Sequence, residues 1–165
     1  MASDSVAIRT GYEPGVIGWI AALHGTYYHR HWNFGLFFEA KVAAELAAFL
    51  QRRSPESDGF WTAWADGEIR GAIAIDGEDA ETGWAHLRWF IVDEPYQCRG
   101  IGGRLLDTAM AFRRDRGHRR VYLWTFEGLW RARRLYESRG FVLTETRPGA
   151  TWGTPVNEQR FEWRA

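Results

Sequence analysis

The sequence predicts a mixed α/β fold, one sheet covered by helices, and three observations carry that prediction. Apolar residues recur twice at helical spacing before residue 53. The period then changes to two, on either side of an Asp-Gly pair. Beyond residue 95, helix-like and strand-like segments alternate to the C-terminus.

Taken in order, VAIRTG (Val6–Gly11) reads as a first strand. After Pro14, Val16, Ile20, Leu23 and Tyr27 form a helical stripe, and the helix is expected to run to about His29. FFEAKVAAELAAFLQRR (Phe37–Arg53) repeats the pattern at Phe38, Val42, Leu46 and Phe49, supported by many alanines. GFWTAWADGEIRGAIAIDG (Gly59–Gly77) is two strands joined at Asp66-Gly67, a pair suited to a type I′ turn. GWAHLRWFIVDEP (Gly83–Pro95) is a third long strand; strict alternation puts Leu87, Trp89 and Ile91 on one face and His86, Arg88, Phe90 and Val92 on the other. YQCRGIGGRLLDTAMAF (Tyr96–Phe112) crowds Gly100, Gly102 and Gly103 ahead of a helix with the stripe Ile101, Leu105, Ala109 and Phe112. HRRVYLWTF (His118–Phe126) is strand, LWRARRLYESRG (Leu129–Gly140) is helix ended by a glycine cap, and FVLTETR and VNEQRFEW are the last strands.

With 165 residues, no Pro- or Ser-rich linker, 45% hydrophobic residues and 10 Trp, residues 1–165 read as a single domain with a core of its own. Net charge is +0, from 21 basic and 21 acidic residues, so no global field favours nucleic acid or an anionic membrane. Between Gln97 and Gly140, however, eleven arginines face four acids. That bias is either compositional or an anion-attracting half. Cys98 is the only cysteine, which excludes an internal disulfide and a cysteine-rich zinc site. His24, His29 and His31 lack an HExxH setting, so no metal is expected. The first 20 residues resemble no signal peptide, no 18-residue apolar run occurs, and a cytoplasmic protein is expected.

A glycine loop between strand and helix presents bare N–H groups at the positive end of a helix dipole, a setting for phosphate. The dipole alone supplies roughly 0.3–1 kcal/mol, so further N–H bonds and arginines such as Arg99 and Arg104 would have to contribute. Two phosphate motifs are excluded. GxGxxG would need glycine at Leu105, and the ATP-type loop would need Lys-Ser or Lys-Thr where Arg104-Leu105 stands.

Gln97-Cys98-Arg99-Gly100-Ile101-Gly102, following the strand Leu87–Val92, matches the Q/R-x-x-G-x-G/A signature of GNAT N-acetyltransferases. ARRLYESRGF (Ala132–Phe141) matches their A-x-x-LY-x-x-x-GF helix. The resemblance spans Val6 to Trp163. More narrowly, LRWFIVDEP, RVYLWTFEGL and TWGTPVNEQRFE resemble the acetyltransferase half of bacterial proteins that fuse a MarR-type DNA-binding domain to a GNAT domain. The resemblance implies a mostly antiparallel central sheet of about six to seven strands flanked by about four helices. It implies acetyl-CoA as co-substrate, with its pyrophosphate on the loop Gln97, Cys98, Arg99, Gly100, Ile101, Gly102, Gly103 and Arg104, and its pantetheine along Ile91 and Val92. It also implies direct acetyl transfer to a primary amine, of a small molecule such as an amino acid or of a protein.

Tyr136 falls on the family's acid position, and an ordinary phenol pKa near 10 suits a donor to a thiolate; by spacing alone it would simply pack with Leu129 and Ala132. Leu129 stands where the family often has Asn, a departure that leaves a non-catalytic CoA-binding module as a rival. His86, on the strand that often carries the family's base, is a candidate base or a structural histidine. Arg88 would grip a substrate carboxylate or pair with Glu81 or Glu94. In this family the first two helices wall the acceptor pocket, which makes Tyr28 and Glu39 candidate substrate contacts. The aromatic excess and the last strand would suit a homodimer.

Overall fold

The computed structural model describes residues 5–77 and 82–165. The chain forms β1 (Ala7–Thr10), α1 (Val16–Trp32), α2 (Leu36–Arg52), β2 (Gly59–Ala65), β3 (Glu68–Asp76) and β4 (Trp84–Val92). After a 3₁₀ turn at Glu94–Tyr96 come α3 (Ile101–Asp115), β5 (Arg120–Phe126), α4 (Trp130–Ser138), β6 (Val142–Gly149) and β7 (Val156–Arg164). The seven strands make one sheet in the order β1-β2-β3-β4-β5-β7-β6, in which only β4 and β5 are parallel. The Asp66-Gly67 turn has φ 53° and 77°, both positive as a type I′ turn requires. Helix α1 runs three residues past its expected end, to an Asn33 cap in the left-handed region; the Asn33 N–H reaches back to the His29 carbonyl and the Phe34 N–H to that of Tyr28.

Two apolar layers sandwich the sheet. On one face, α3 and α4 bury Ile101, Leu105, Leu106, Ala109 and Tyr136 against Ile73, Ile75, Leu87, Val121, Leu123 and Phe161. On the other, α1 and α2 bury Val16, Ile20, Phe38, Val42, Leu46 and Phe49 against Phe60, Ala72, Ala74, Trp89 and Phe126. The α2 stripe predicted from spacing is the one buried, as are Ile101, Leu105 and Ala109 of α3, where Leu106 joins them and Phe112 is half-buried. In α1 the buried face is Val16, Ile20, Ala21, His24 and Gly25, with Leu23 and Tyr27 only half-covered.

The alternation expected for β4 fails at one residue. Leu87 packs in the α3/α4 layer, whereas Trp89 lies against Phe49 of α2, and Phe90 and Val92 return to the α3/α4 layer. Trp89 has φ 47°, and the pairing with β3 steps from Ala74↔Arg88 to Ala72↔Ile91, three residues opposite two. This is a β-bulge, which inserts one residue and re-aims those after it. Sequence periodicity carries no sign of it. Its effect is to put Trp89 on the face of His86 and Arg88, toward α1 and α2, and to turn Phe90 to the Leu87 face, toward α4.

Beside the bulge, β4 and β5 pair only at Trp84↔Arg120, Ala85↔Val121 and His86↔Tyr122, and then diverge. Strands that stop pairing inside a sheet leave a gap between the two layers. Among the described residues, no helix is long and apolar enough to cross a membrane.

Candidate active site

The gap between β4 and β5 opens into two cavities that meet at Tyr28, Phe90, Leu129 and Ala132, residues that line both. The larger, about 700 Å³, runs along Phe90, Ile91 and Val92 to Gln97, Cys98, Gly100, Gly102 and Gly103, with Trp130, Arg131, Arg134 and Leu135 of α4 opposite. The smaller, about 380 Å³, lies between α1, α2 and the β5–β7 end of the sheet, and is lined by His24, Phe38, Lys41, Glu45, His86, Arg88, Trp124, Tyr136, Arg147, Trp152 and Glu158 among others.

The larger cavity ends at the glycine loop. Gly100 caps α3 with φ 79°, a conformation that glycine adopts without strain, and Cys98 also stands at positive φ, 60°. Arg104 N–H bonds to the Gly100 carbonyl, while the N–H groups of Ile101, Gly102 and Gly103 precede the first intrahelical acceptor and point out of the helix. A Cβ on Gly102 would come within 3.3 Å of Leu135 and 3.4 Å of Phe90, so the cleft floor is narrow there. Gln97 ties the loop to β4 through Nε2–H donating to the Val92 carbonyl at 3.0 Å, and accepts from Arg131 at 3.1 Å. Bare N–H groups, a helix N-terminus and two arginines suit an extended ligand that ends in phosphate.

Two expected contributors stand elsewhere. Arg104 donates to the Val6 carbonyl at 2.9 Å and does not line the cleft. Arg99 lies over the Tyr96 ring, 5.1 Å from its centre, also outside the lining. The cations at the cleft are Arg131 and Arg134, which lie some thirty residues downstream of the loop; the crossing of α4 over the loop brings them there. Other arginines of this half are engaged: Arg139 pairs with Asp107, Arg133 with Glu137, and Arg113 covers the Trp163 ring. Ile101 contributes its backbone only, its side chain being buried in the core.

In the smaller cavity Tyr136 is buried among Phe90, Phe141 and Phe161, with ring centres 5.8–5.9 Å away. Its hydroxyl makes no hydrogen bond to a described residue and is not among their sealed, unpartnered polar atoms, which are the Nε of Arg53, Arg70 and Arg113. It therefore opens on the cavity. Burial first, then the neighbouring Tyr28 phenol, push its pKa above the usual value. Tyr28, at the junction of the cavities, is likewise raised by burial.

The other expected residues fall differently. His86 is in the cavity, stacked on Tyr122 at 4.4 Å, and burial reinforced by Arg88 pulls its pKa down to about 3. At that value it accepts a proton poorly. Arg88 lies over Trp89 at 4.1 Å with one terminal nitrogen on Glu45 and the other 3.3 Å from Asp76. Of the partners expected for it, Glu94 is paired with Arg30 and His31 instead, and Glu81 lies outside the described residues. Glu39 is exposed, faces Gly25 of α1 and does not line the cavity; the α2 carboxylate that does is Glu45, about one and two-thirds turns on, bonded to Lys41 at 2.6 Å. Buried Glu158 of β7 accepts from Thr151 N and Oγ1, both at 2.9 Å, and sits 3.5 Å from Arg147. Neither Glu45 nor Glu158 was legible as a site residue, since nothing local distinguishes them from surface acids.

Among the described residues, no group of three or more His, Cys, Asp and Glu is arranged to hold a metal ion. In solved structures the fold recurs in an acetyltransferase of the GNAT family from Staphylococcus aureus Mu50, with TM-score 0.77, 18% identity and coverage of 97% of this chain and 99% of that one. It recurs in yncA from Salmonella typhimurium, solved with its cofactor acetyl-CoA, with TM-score 0.77, 16% identity and coverage of 97% and 94%. At such identities the likeness is one of fold. An uncharacterized N-acetyltransferase of Archaeoglobus fulgidus is 32% identical over 92 residues, which is 52% of this chain and 61% of that protein, so the chain spans less than two thirds of that relative's length. A family model described as the Acetyltransferase (GNAT) family matches residues 16–141. That match takes in the two helices, the bulged strand, the glycine loop and the tyrosine helix, and the chain belongs to the GNAT family of acetyltransferases.

Proposed function

We propose that the protein transfers an acetyl group from acetyl-CoA to the primary amine of a small molecule, by direct transfer while both substrates are bound. The observation that carries this reading is the meeting of the two cavities: a cleft that suits a phosphate-ended ligand opens, at Phe90 and Tyr28, into a second chamber where the Tyr136 hydroxyl is exposed. The presence of acetyl-CoA in the yncA structure supports the choice of donor. The pyrophosphate would rest on the N–H groups of Ile101, Gly102 and Gly103 and near Arg131 and Arg134, the pantetheine along Ile91 and Val92. The Val92 carbonyl already accepts from Gln97, which leaves its second lone pair for a ligand.

A chamber of about 380 Å³ walled by α1, α2 and the β6–β7 hairpin favours a small acceptor over an extended peptide. With its imidazoles neutral, its lining carries Lys41, Arg88 and Arg147 against Glu45 and Glu158, one cation in excess. That balance supports an amine that also bears a carboxylate, such as an amino acid.

Purified protein with acetyl-CoA and a panel of amines, with and without a carboxylate, should release free thiol on one class. Binding of CoA with no release from any amine would leave a CoA-binding module without catalysis. Gly102→Val should weaken CoA binding by at least about tenfold, because branched carbons there meet Leu135 and Phe90 and fill the cleft floor; calorimetric titration measures it.

A further inference from the structure

We infer that His24, on α1, is the group that takes the proton from the attacking amine, an assignment that rests on the acetyltransferase reading above. Its Nδ1 lies 2.8 Å from the Ile20 carbonyl oxygen. A carbonyl only accepts, so Nδ1 carries the ring hydrogen and Nε2 carries a lone pair. The ring is 5% exposed and lines the acceptor cavity, held between Tyr28 and Phe38 at centroid distances of 6.1 and 6.3 Å. Nε2 has no hydrogen-bond partner among the described residues, nor is it among their sealed, unpartnered atoms, so it opens on the cavity. The result is an oriented, unoccupied acceptor in the chamber that holds the Tyr136 hydroxyl.

The other basic atoms of the chamber are already engaged or opposed. Glu158 is held by Thr151 and Arg147, and Glu45 by Lys41 and Arg88. His86 is buried and has Arg88 and Arg160 beside it, all of which disfavour a charge on its ring, and among the described residues no hydrogen bond fixes its tautomer. Burial holds His24 low as well, to about 4, but no described cation opposes it there and the Ile20 carbonyl that fixes the tautomer offsets part of that cost.

In the transfer, the neutral amine nitrogen bonds to the acyl carbon, and the electron pair of the breaking C–S bond leaves on sulfur. The nitrogen, made strongly acidic by the new bond, gives its proton to Nε2. The Tyr136 hydroxyl gives its proton to the sulfur, and the His24 imidazolium restores the tyrosine proton, so that amine and thioester become amide and thiol with nothing left over. Acidification of the bonded nitrogen is why a weakly basic imidazole is sufficient.

Two measurements test this. Two-bond ¹H–¹⁵N correlation spectra of the ¹⁵N-histidine-labelled protein, assigned with His24→Gln, should show at neutral pH one ring with a protonated Nδ1 and a bare Nε2; a protonated Nε2 on His24 overturns the assignment without bearing on the acetyltransferase reading. On an amine that the wild type acetylates, His24→Ala should lower kcat at least about tenfold with KM for acetyl-CoA unchanged, and added imidazole should restore part of the loss. Full turnover in a folded His24→Ala protein, or a loss that imidazole leaves untouched while His24→Gln retains activity, makes His24 a packing residue. Wild-type protein that acetylates no amine overturns the function itself, and with it this role.

Discussion

Tyr136→Phe is expected to lower turnover at least about tenfold, a general acid being worth typically about 10²- to 10⁴-fold, while CoA affinity and stability change little. The substitution removes one oxygen and nothing else. The ring keeps its contacts with Phe90, Phe141 and Phe161, and because the hydroxyl has no partner among the described residues, no buried donor or acceptor is stranded by its loss. Burial and the nearby Tyr28 raise the pKa of Tyr136, so the phenol stays protonated throughout the working range and is ready to donate when a thiolate leaves. Thiol release, calorimetric CoA binding and urea unfolding on the same two proteins separate the outcomes. Equal turnover in the mutant would make Tyr136 a core residue that happens to face a cavity. Equal loss of turnover and of CoA binding would place its role in holding the donor.

The sequence was most informative where chemistry is local. The type I′ pair at Asp66-Gly67, the glycine loop from Cys98 to Gly103, and the stripes of α2 and α3 all depend on residues close together in the chain, and each stands in the structure as its spacing predicts. The acceptor chamber is different, because it is assembled from seven strands and helices and its character follows from the bulge at Trp89. Strict alternation puts Trp89 with Leu87; the bulge separates them, and Arg88, on the face opposite Leu87, meets Glu45 of α2 rather than an acid nearby in sequence. Glu39 was the nearer carboxylate by composition, yet the turn of α2 puts it against Gly25 and puts Glu45 in the cavity. Nothing in the sequence separates His24 from His29 and His31, since only the fold shows that its Nδ1 meets a carbonyl inside the chamber. Arg131 and Arg134 were missed for the same reason as Glu158: their importance lies in which element crosses which.

Acidification is expected to destabilise the protein well before its carboxylates titrate, and the cause is the pair of histidines in the acceptor chamber. Burial lowers His24 to about 4, against the Ile20 bond that raises it, and burial with Arg88 lowers His86 to about 3. Both are depressed from an unfolded value near 6.5. Below that value the unfolded chain binds protons that the folded chain refuses, so stability rises with pH through this window and falls as pH drops from about 6.5 toward 4 for His24 and toward 3 for His86. At pH 5 the linkage amounts to at most about 2 kcal/mol per histidine, together a substantial share of the roughly 5–15 kcal/mol that holds an ordinary domain folded. The lowered carboxylates Glu158 and Glu162 lose their contributions only at more acid pH, from an ordinary value of 4.5 downward, so the two effects separate along the pH axis. Urea unfolding at pH 7, 6 and 5 should show the midpoint falling at each step, and His24→Gln/His86→Gln should flatten that dependence. A wild-type midpoint constant from pH 7 to 5 would mean that both rings accept protons in the folded state, and the neutral imidazole that the transfer requires of His24 would then exist only at higher pH.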